Sequence, residues 1–208
     1  NSISMLIVFL EEVLGQVNEQ NFPAYMQMAQ MLYEVKRVNG NLIQLLTVYK
    51  VGNKFYPFDL AQHSLEEFIT EILLQSRALL EFKGIEVAVD VEEGLHWYFD
   101  RELVAGVVNH ALNNVAHYTE DKVRLTARKT DGNLEIRIED NGSGYPPAML
   151  EAGEAVSRGV NFTTGSTGLG LYFSSMVAKL HKNQGKTGYI RLENGGEYGG
   201  GCFVLSLP

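Results

Sequence analysis

The chain has 208 residues, of which 45% are hydrophobic and 20% charged, a balance typical of a globular protein with one or two domains. Its net charge of -8 argues against a nucleic-acid-binding surface, which needs clustered lysines and arginines. The single cysteine, Cys202, excludes an internal disulfide and a cysteine-rich zinc site, so we expect a reducing, cytoplasmic setting.

The N-terminal segment carries neither a membrane span nor a signal peptide. Its longest apolar run, Met5 to Leu10, is far shorter than the roughly 20 residues that a transmembrane helix needs, and no basic region precedes it. Because the chain starts at Asn1, directly in a helical pattern, we interpret it as a piece of a longer protein. That longer protein can carry a membrane anchor, but we expect no membrane contact within this piece.

Two amphipathic helices are predicted for residues 1–52. Apolar residues recur at steps of three and four across residues 3–17 and 25–49, and Gly52 ends the second pattern. Joined by a short connection, the helices would form an antiparallel hairpin. A hairpin cannot cover its own apolar face, so we expect a second copy to complete a four-helix bundle, which makes the protein a homodimer through residues 1–52.

Residues 53–208 alternate between helices and strands, which predicts a second domain with helices packed on one face of a mixed sheet. The whole chain is therefore expected to be α+β, a helical hairpin followed by an α/β sandwich. Helices are predicted at 65–82, from the N-cap Asp100 to about Thr119, and at 168–180. Strands are predicted at 55–60 (with a turn), 85–91, 96–99, 123–130, 134–140, 188–193 and 202–207.

A long segment, residues 141–167, is rich in glycine, proline and serine and lacks periodicity. A loop of this length inside a compact domain is typical of an active-site lid, which we place at about 145–167.

A glycine-rich turn follows the strand that ends at Asp140. A carboxylate can accept a hydrogen bond from an exocyclic amine such as that of adenine, and Gly142 and Gly144 let the backbone approach a ligand closely. The alternative is an ordinary turn aspartate, which is common. A second glycine turn with Gly168 and Gly170 opens an apolar helix, whose free N–H groups would bind phosphate. Together the two turns predict an ATP pocket.

The helix that follows Asp100 is unusually dense in amides and histidines. Residues four apart share a helix face, which places His110 near Asn114 and Asn113 near His117. An amide oxygen suits Mg²⁺, which takes only one or two protein ligands beside substrate phosphates. The alternative is that these side chains decorate a solvated face, and their position beside the glycine turns favours the magnesium interpretation.

The order of these motifs resembles that of a known family. An Asn-rich helix, Asp-Asn-Gly-Ser-Gly at 140–144, a variable lid, Gly-Leu-Gly-Leu at 168–171 and Gly-x-Phe-x-Leu-x-Leu-Pro at 201–208 follow one another. This order resembles the ATP-binding domain of bacterial sensor histidine kinases, the Bergerat-fold ATPases. Phe-Asp-Leu at 58–60 resembles the family's usual lead-in. The hairpin resembles its dimerisation and phosphoacceptor domain.

The resemblance implies a role for each motif position. Asn114 falls where the family holds Mg²⁺, and His110 takes the upstream position of the same box and is the candidate catalytic residue. Asp140 would contact the adenine amine. The implied cofactor-binding set is Asn114, His117, Tyr118, Asp140, Gly142, Gly144, Thr167, Gly168, Leu169 and Gly170.

The reaction implied by the resemblance is transfer of the γ-phosphoryl group of ATP to a histidine, and then to the receiver domain of a response regulator. None of the five histidines lies in the first helix. Asn1 looks like the residue four places after the family's acceptor, which we therefore expect just upstream. The missing histidine is the best support for one alternative, a non-catalytic dimeric nucleotide-binding scaffold. A second alternative is another Bergerat ATPase, against which the preceding hairpin argues.

Overall fold

The computed structural model describes residues 2–17, 24–151 and 168–208. The helices are α1 (Ser2–Gln16), α2 (Tyr25–Gly52), α3 (Leu65–Phe82), α4 (Arg101–Tyr118), α5 (Pro147–Glu151) and α6 (Leu169–Leu180). The strands are β1 (Ala61–Ser64), β2 (Glu86–Val91), β3 (His96–Phe99), β4 (Lys122–Thr130), β5 (Asn133–Asp140), β6 (Lys182–Asn183), β7 (Lys186–Thr187), β8 (Tyr189–Asn194) and β9 (Gly201–Leu207). In these three ranges no helix is both long enough and apolar enough to cross a membrane.

Helices α1 and α2 pack against each other, and α2 also packs against α4 and α6. Among the described side chains of these two helices, Leu10 and Tyr33 are the buried apolar ones, and an ion pair joins Lys36 to Glu11 at 2.6 Å. Many of their other apolar side chains stay exposed, including Phe9 at 57% and Ile43 at 55%. The two helices therefore leave a large apolar surface uncovered.

A five-stranded mixed sheet with the strand order β2-β4-β5-β9-β8 forms the centre of the molecule. Strand β2 runs parallel to β4, and the other neighbours are antiparallel. Buried apolar residues alternate on β4, at Val123, Leu125 and Ala127, and on β5, because successive side chains point to opposite faces, whereas every residue of β9 is buried. The α+β fold expected from the sequence is confirmed.

Helices α3, α4 and α6 bury their apolar sides in one core together with this sheet. Phe68 and Phe99 are almost fully buried and meet edge to face, with ring centroids 5.0 Å apart. Burial of one such large side chain contributes about 1.5–3 kcal/mol. Helices α4 and α6 approach closely, because a Cβ on Gly106 would lie 3.0 Å from Cζ of Phe173. The core thus fixes α4 and α6, the two helices that carry most of the predicted site.

The predicted strand at 55–60 is wrong. Residues 53–60 link α2 to β1 without strand structure, and β1 pairs instead with β3. Pro57 has no N–H to donate to a strand ladder, and the N–H of Asp59 donates to a side chain, Oδ2 of Asp100, at 3.0 Å.

Besides β1, the sequence did not predict a short helix and a short hairpin. Helix α5 lies within the segment expected to be an irregular lid, and the β6–β7 hairpin follows α6. The rest of the predicted lid, residues 152–167, lies outside the described residues.

Candidate nucleotide-binding site

Asp140, the last residue of β5, is 5% exposed, and its two carboxylate oxygens have different surroundings. Its Oδ1 accepts hydrogen bonds from the N–H groups of Gly142 at 2.8 Å and Gly201 at 3.1 Å. Within the described ranges no hydrogen bond reaches Oδ2. Hydrogen bonds to a charged group are worth about 1.5–3 kcal/mol each, so the two bonds hold the carboxylate in one orientation. Oδ2 is left to accept from a ligand donor.

The first glycine turn is pressed against the end of α4. A Cβ on Gly142 would lie 2.1 Å from the carbonyl oxygen of Tyr118, so no larger residue fits there without moving the helix end. Gly144 has a φ of +75°, a conformation that glycine adopts without strain. Both glycines of the Asp-x-Gly-x-Gly motif are therefore required by the backbone path itself.

Asn141, between Asp140 and Gly142, fastens the same turn to the start of β4. Its Oδ1 accepts from the hydroxyl of Thr119 at 2.8 Å and from the N–H of Lys122 at 3.0 Å, and its Nδ2 donates to Asp121 at 2.7 Å. Its role is structural, and it leaves Asp140 as the turn's free acceptor.

The second glycine turn is pressed against the same helix, α4, nearer its middle. A Cβ on Gly170 would lie 1.8 Å from Cε1 of His110, so the imidazole rests directly on the backbone of α6. Burial lowers the pKa of His110 to about 4, which keeps its ring neutral at pH 7.

His110 also fixes the orientation of Asn114, one helical turn further along α4. The Nδ2 of Asn114 lies 3.0 Å from Nε2 of His110. An amide NH₂ can only donate, so Nε2 accepts and the ring proton sits on Nδ1. The amide oxygen of Asn114 is thereby turned away from the histidine and is available as a ligand.

Helix α6 begins without a side-chain cap. Its N-cap, Gly168, is left-handed with a φ of 59°, and among the described residues no side chain caps the first turn of the helix. The first N–H groups of a helix have no partner within it, and they favour negative charge. The turn at Gly168 and Leu169 can therefore bind a phosphate group, as its sequence predicts. Thr167 lies outside the described residues.

His117 and Tyr118 close α4 on its exposed side. Their rings meet edge to face with centroids 4.9 Å apart, and the side chain of Tyr118 is 62% exposed. The structure therefore places them at the end of α4 beside the Gly142 turn, where a ligand could reach both rings.

Helix α4 is the common wall of the two glycine turns. Gly142 meets it at Tyr118 and Gly170 meets it at His110. Eight residues separate these two contacts, which corresponds to about 12 Å along a helix that rises about 1.5 Å per residue. The carboxylate acceptor and the uncapped helix thus lie at two ends of one stretch of α4, with Asn114 between them.

The residues present fit Mg-ATP. Asp140 offers one oxygen for an exocyclic amine, α6 offers free N–H groups for phosphate, and Asn114 offers one amide oxygen for a metal. Within the described ranges no cluster of three or more His, Cys, Asp or Glu side chains forms a metal site. A Mg²⁺ ion takes only one or two protein ligands beside water and substrate phosphates, and Asn114 can supply one.

Asn194, at the end of β8, holds the first glycine turn of the candidate site, a role that the sequence did not predict. Its Oδ1 accepts from the N–H of Tyr145 at 2.7 Å, and its Nδ2 donates to the carbonyl of the same residue at 2.8 Å. It also lies against Gly144, whose Cβ would come within 2.8 Å of Oδ1. No local motif marks this asparagine, because its partners come from a different part of the chain.

Tyr145 itself borders the Asp140 carboxylate. A Cβ on Gly201 would lie 2.9 Å from Oδ2 of Asp140 and 3.1 Å from the Tyr145 ring, so both groups line one small space. Burial, and next the charge of Asp140, raise the pKa of the Tyr145 phenol. The phenol therefore stays protonated and is a hydrogen-bond donor beside the acceptor oxygen.

Comparison with known proteins gives one family match and several relatives. The family model described as histidine kinase-, DNA gyrase B-, and HSP90-like ATPase matches residues 99–208. The chain is 27% identical to the sensor histidine kinase GraS of Staphylococcus haemolyticus over 185 residues, 86% of this chain and 51% of the relative. It is 25% identical to a sensor protein kinase GraS of Staphylococcus aureus over 71% of this chain and 44% of the relative. The chain thus spans about half the length of the curated relatives it matches.

Solved structures show the same fold. The histidine kinase AdeS of Acinetobacter baumannii superposes with a TM-score of 0.64 at 18% identity, covering 99% of this chain and 93% of AdeS. Full-length ShkA, solved in complex with AMPPNP, superposes with a TM-score of 0.66 at 20% identity, covering 100% of this chain and 45% of ShkA. Both alignments extend over the helices α1 and α2 as well as the sheet.

Proposed function

Because the chain belongs to the family of histidine kinase-, DNA gyrase B- and HSP90-like ATPases, we propose that it is the Mg-ATP-binding and dimerisation core of a two-component sensor histidine kinase. Residues 53–208 form the ATP-binding domain, and residues 1–52 form the dimerisation hairpin. The proposal is supported by the GraS relative of Staphylococcus haemolyticus, whose match covers 86% of this chain.

The observation that carries the proposal is the meeting of both glycine turns on α4. Asp140 offers an acceptor oxygen at one end of this contact, and the uncapped start of α6 offers donors at the other. A purine base needs the first and a chain of phosphates needs the second. A nucleoside triphosphate presents these two groups at its opposite ends.

In this arrangement each residue binds or orients. Asp140 accepts from the exocyclic amine of adenine, and the N–H groups at Gly168 and Gly170 donate to phosphate oxygens. Asn114 would hold Mg²⁺ through its amide oxygen, and the ion, when bound, neutralises charge on the transferring phosphoryl group. His110, the candidate catalytic residue, acts by orienting Asn114, because a neutral imidazole with Nε2 engaged cannot donate a proton from that atom.

The proposed dimer rests on the apolar surface of α1 and α2. Side chains such as Met5, Phe9 and Ile43 are more than half exposed. Helix α2 of the hairpin packs against α4 and α6 of the ATP-binding domain. A second copy that buries these exposed side chains would form a four-helix bundle.

The whole protein's reaction is part of the same proposal. The γ-phosphoryl group passes to a histidine and then to an aspartate of a response-regulator receiver domain. Helices α1 and α2 contain no histidine. We therefore expect residues 1–208 to bind Mg-ATP without labelling the hairpin, and transfer to need an acceptor histidine from elsewhere.

Calorimetric titration of residues 1–208 with Mg-ATP tests the proposal. We expect saturable binding that requires magnesium, with GTP binding more weakly because its base presents a carbonyl where adenine has its 6-amino group. No binding at millimolar Mg-ATP, or equal binding of ATP and GTP, would contradict the assigned pocket.

A further inference from the structure

Asp100, the N-cap of α4, is a buried carboxylate that the nucleotide site does not use. It is 2% exposed, and its Oδ1 accepts from the N–H of Leu103 at 3.0 Å, as an N-cap side chain should. The same Oδ1 also accepts from the hydroxyl of Tyr56 at 3.1 Å, and Oδ2 accepts from the N–H of Asp59 at 3.0 Å. Two of its three hydrogen bonds thus come from the linker between α2 and β1.

His181, the C-cap of α6, also contacts Asp100, through the backbone N–H of that residue. Its Nε2 accepts from the backbone N–H of Asp100 at 3.0 Å, and its Nδ1 donates to the carbonyl of Val177 at 2.8 Å. Burial lowers the pKa of His181, which keeps the ring neutral and Nε2 free to accept. The ring of Phe58 packs edge to face on this imidazole, with centroids 5.1 Å apart.

These five residues, Tyr56, Phe58, Asp59, Asp100 and His181, form what we call the linker joint. It connects three elements at one buried place: the linker that continues from α2, the start of α4 and the end of α6. The other end of the α4–α6 contact is the pair His110 and Gly170 in the nucleotide site. The two helices run antiparallel between the joint and the site, and Phe173 packs on Gly106 between them.

We infer that the linker joint couples the position of the hairpin to the nucleotide site, with Asp100 and His181 as positioning residues. This inference rests on the proposed function. Any movement of the linker away from Asp100 removes partners from a buried carboxylate, which is costly. The linker therefore either stays docked or shifts α4 and α6 with it. Coupling between two sites is reciprocal, so a nucleotide that fixes α4 and α6 must also hold the linker more firmly.

Hydrogen–deuterium exchange of residues 1–208 tests the coupling, with the Asp59 amide as the main probe. The variant Tyr56→Phe removes one hydroxyl from the joint and keeps the ring, so the fold is preserved. The matched control is Tyr98→Phe, because the Tyr98 side chain is 60% exposed and its hydroxyl has no hydrogen-bond partner in the described parts of the chain. We expect the Asp59 amide to exchange about tenfold faster in Tyr56→Phe, and at the wild-type rate in the control.

Saturating Mg-ATP supplies the second half of the test. We expect Mg-ATP to slow amide exchange across residues 53–60 at least about threefold in the wild type and in Tyr98→Phe. In Tyr56→Phe most of this slowing should disappear, although calorimetry still detects ATP binding. Unchanged linker exchange on nucleotide binding, or an undiminished effect in Tyr56→Phe, overturns the coupling. If wild-type protein binds no ATP, the proposed function falls and the coupling with it, and the nucleotide-free exchange of Asp59 alone decides whether the joint holds the linker.

Discussion

Substitution of Asp140 by asparagine replaces the hydrogen-bond acceptor that faces the proposed base with a donor. The two N–H groups on Oδ1, from Gly142 and Gly201, can only donate, so an asparagine keeps its oxygen there. Its NH₂ group then occupies the position of Oδ2. The turn keeps its geometry, while an exocyclic amine of the ligand meets a second donor instead of an acceptor.

The expected loss follows from the bond that disappears. A hydrogen bond to a charged group is worth about 1.5–3 kcal/mol, and each 1.4 kcal/mol is a factor of ten. Mg-ATP should therefore bind Asp140→Asn about 10- to 100-fold more weakly, as measured by calorimetry. Asp131→Asn is a matched control, because Asp131 lies exposed in the β4–β5 turn at a φ of 53°, which asparagine tolerates.

A nucleotide without the amine makes the assay specific. Purine riboside triphosphate lacks the donor, so it should bind the wild type and Asp140→Asn with nearly equal affinity. The reasoning is refuted if Asp140→Asn binds ATP within twofold of the wild type. It is equally refuted if this variant loses as much affinity for purine riboside triphosphate as for ATP, because the missing contact would then not be the amine.

Four further outcomes are expected. Burial raises the pKa of Cys202 to about 12, so Ellman's reagent should label this thiol only on unfolding, and rapid labelling of folded protein would contradict its burial. Asn194→Ala removes both hydrogen bonds that hold Tyr145, which should cost about 1 kcal/mol in urea unfolding and weaken ATP binding several-fold; unchanged ATP binding would remove Asn194 from the site. Ile43→Glu should weaken the proposed dimer roughly 100-fold or more in sedimentation equilibrium, because two copies lose about 1.5–3 kcal/mol each, and an intact dimer would place the interface elsewhere. The pKa of His110 is lowered to about 4 from an unfolded value near 6.5, so the unfolded state takes up the proton first, and stability present above pH 6.5 falls as the pH drops to about 4; His110→Asn should reduce that fall, and an identical pH profile would contradict the burial of the ring.

The linker at residues 53–60 shows why the local sequence pattern predicted a strand at 55–60 that the structure does not contain. Its apolar and aromatic residues predict a strand, but a strand needs a neighbour that takes up its N–H groups. Here the N–H of Asp59 goes to the carboxylate of Asp100, whose position depends on where α4 begins in the folded domain. The helix after it, α3, begins and ends where the hydrophobic period predicts, because that period is a property of consecutive residues.

In the candidate site, too, some residues could be predicted from the local sequence and others could not. Asp140 and the glycines of both turns stand in a local order that predicts a nucleotide pocket, because a backbone that must turn tightly or approach a ligand needs glycine at particular positions. Asn194 has no such neighbours in the sequence, and only the pairing of β8 with β9 brings its amide to Tyr145.

The amino-acid sequence by itself determined the five long helices of the described residues, most strands and the type of ligand, since periodicity, caps and glycine turns act over a few residues. The tertiary structure alone decided that His110 rests on Gly170, that Tyr118 closes on Gly142, and that the linker is fastened to Asp100. Those contacts join segments that are distant along the chain. They arise from the packing of α4 and α6 on the sheet, which no local pattern of residues encodes.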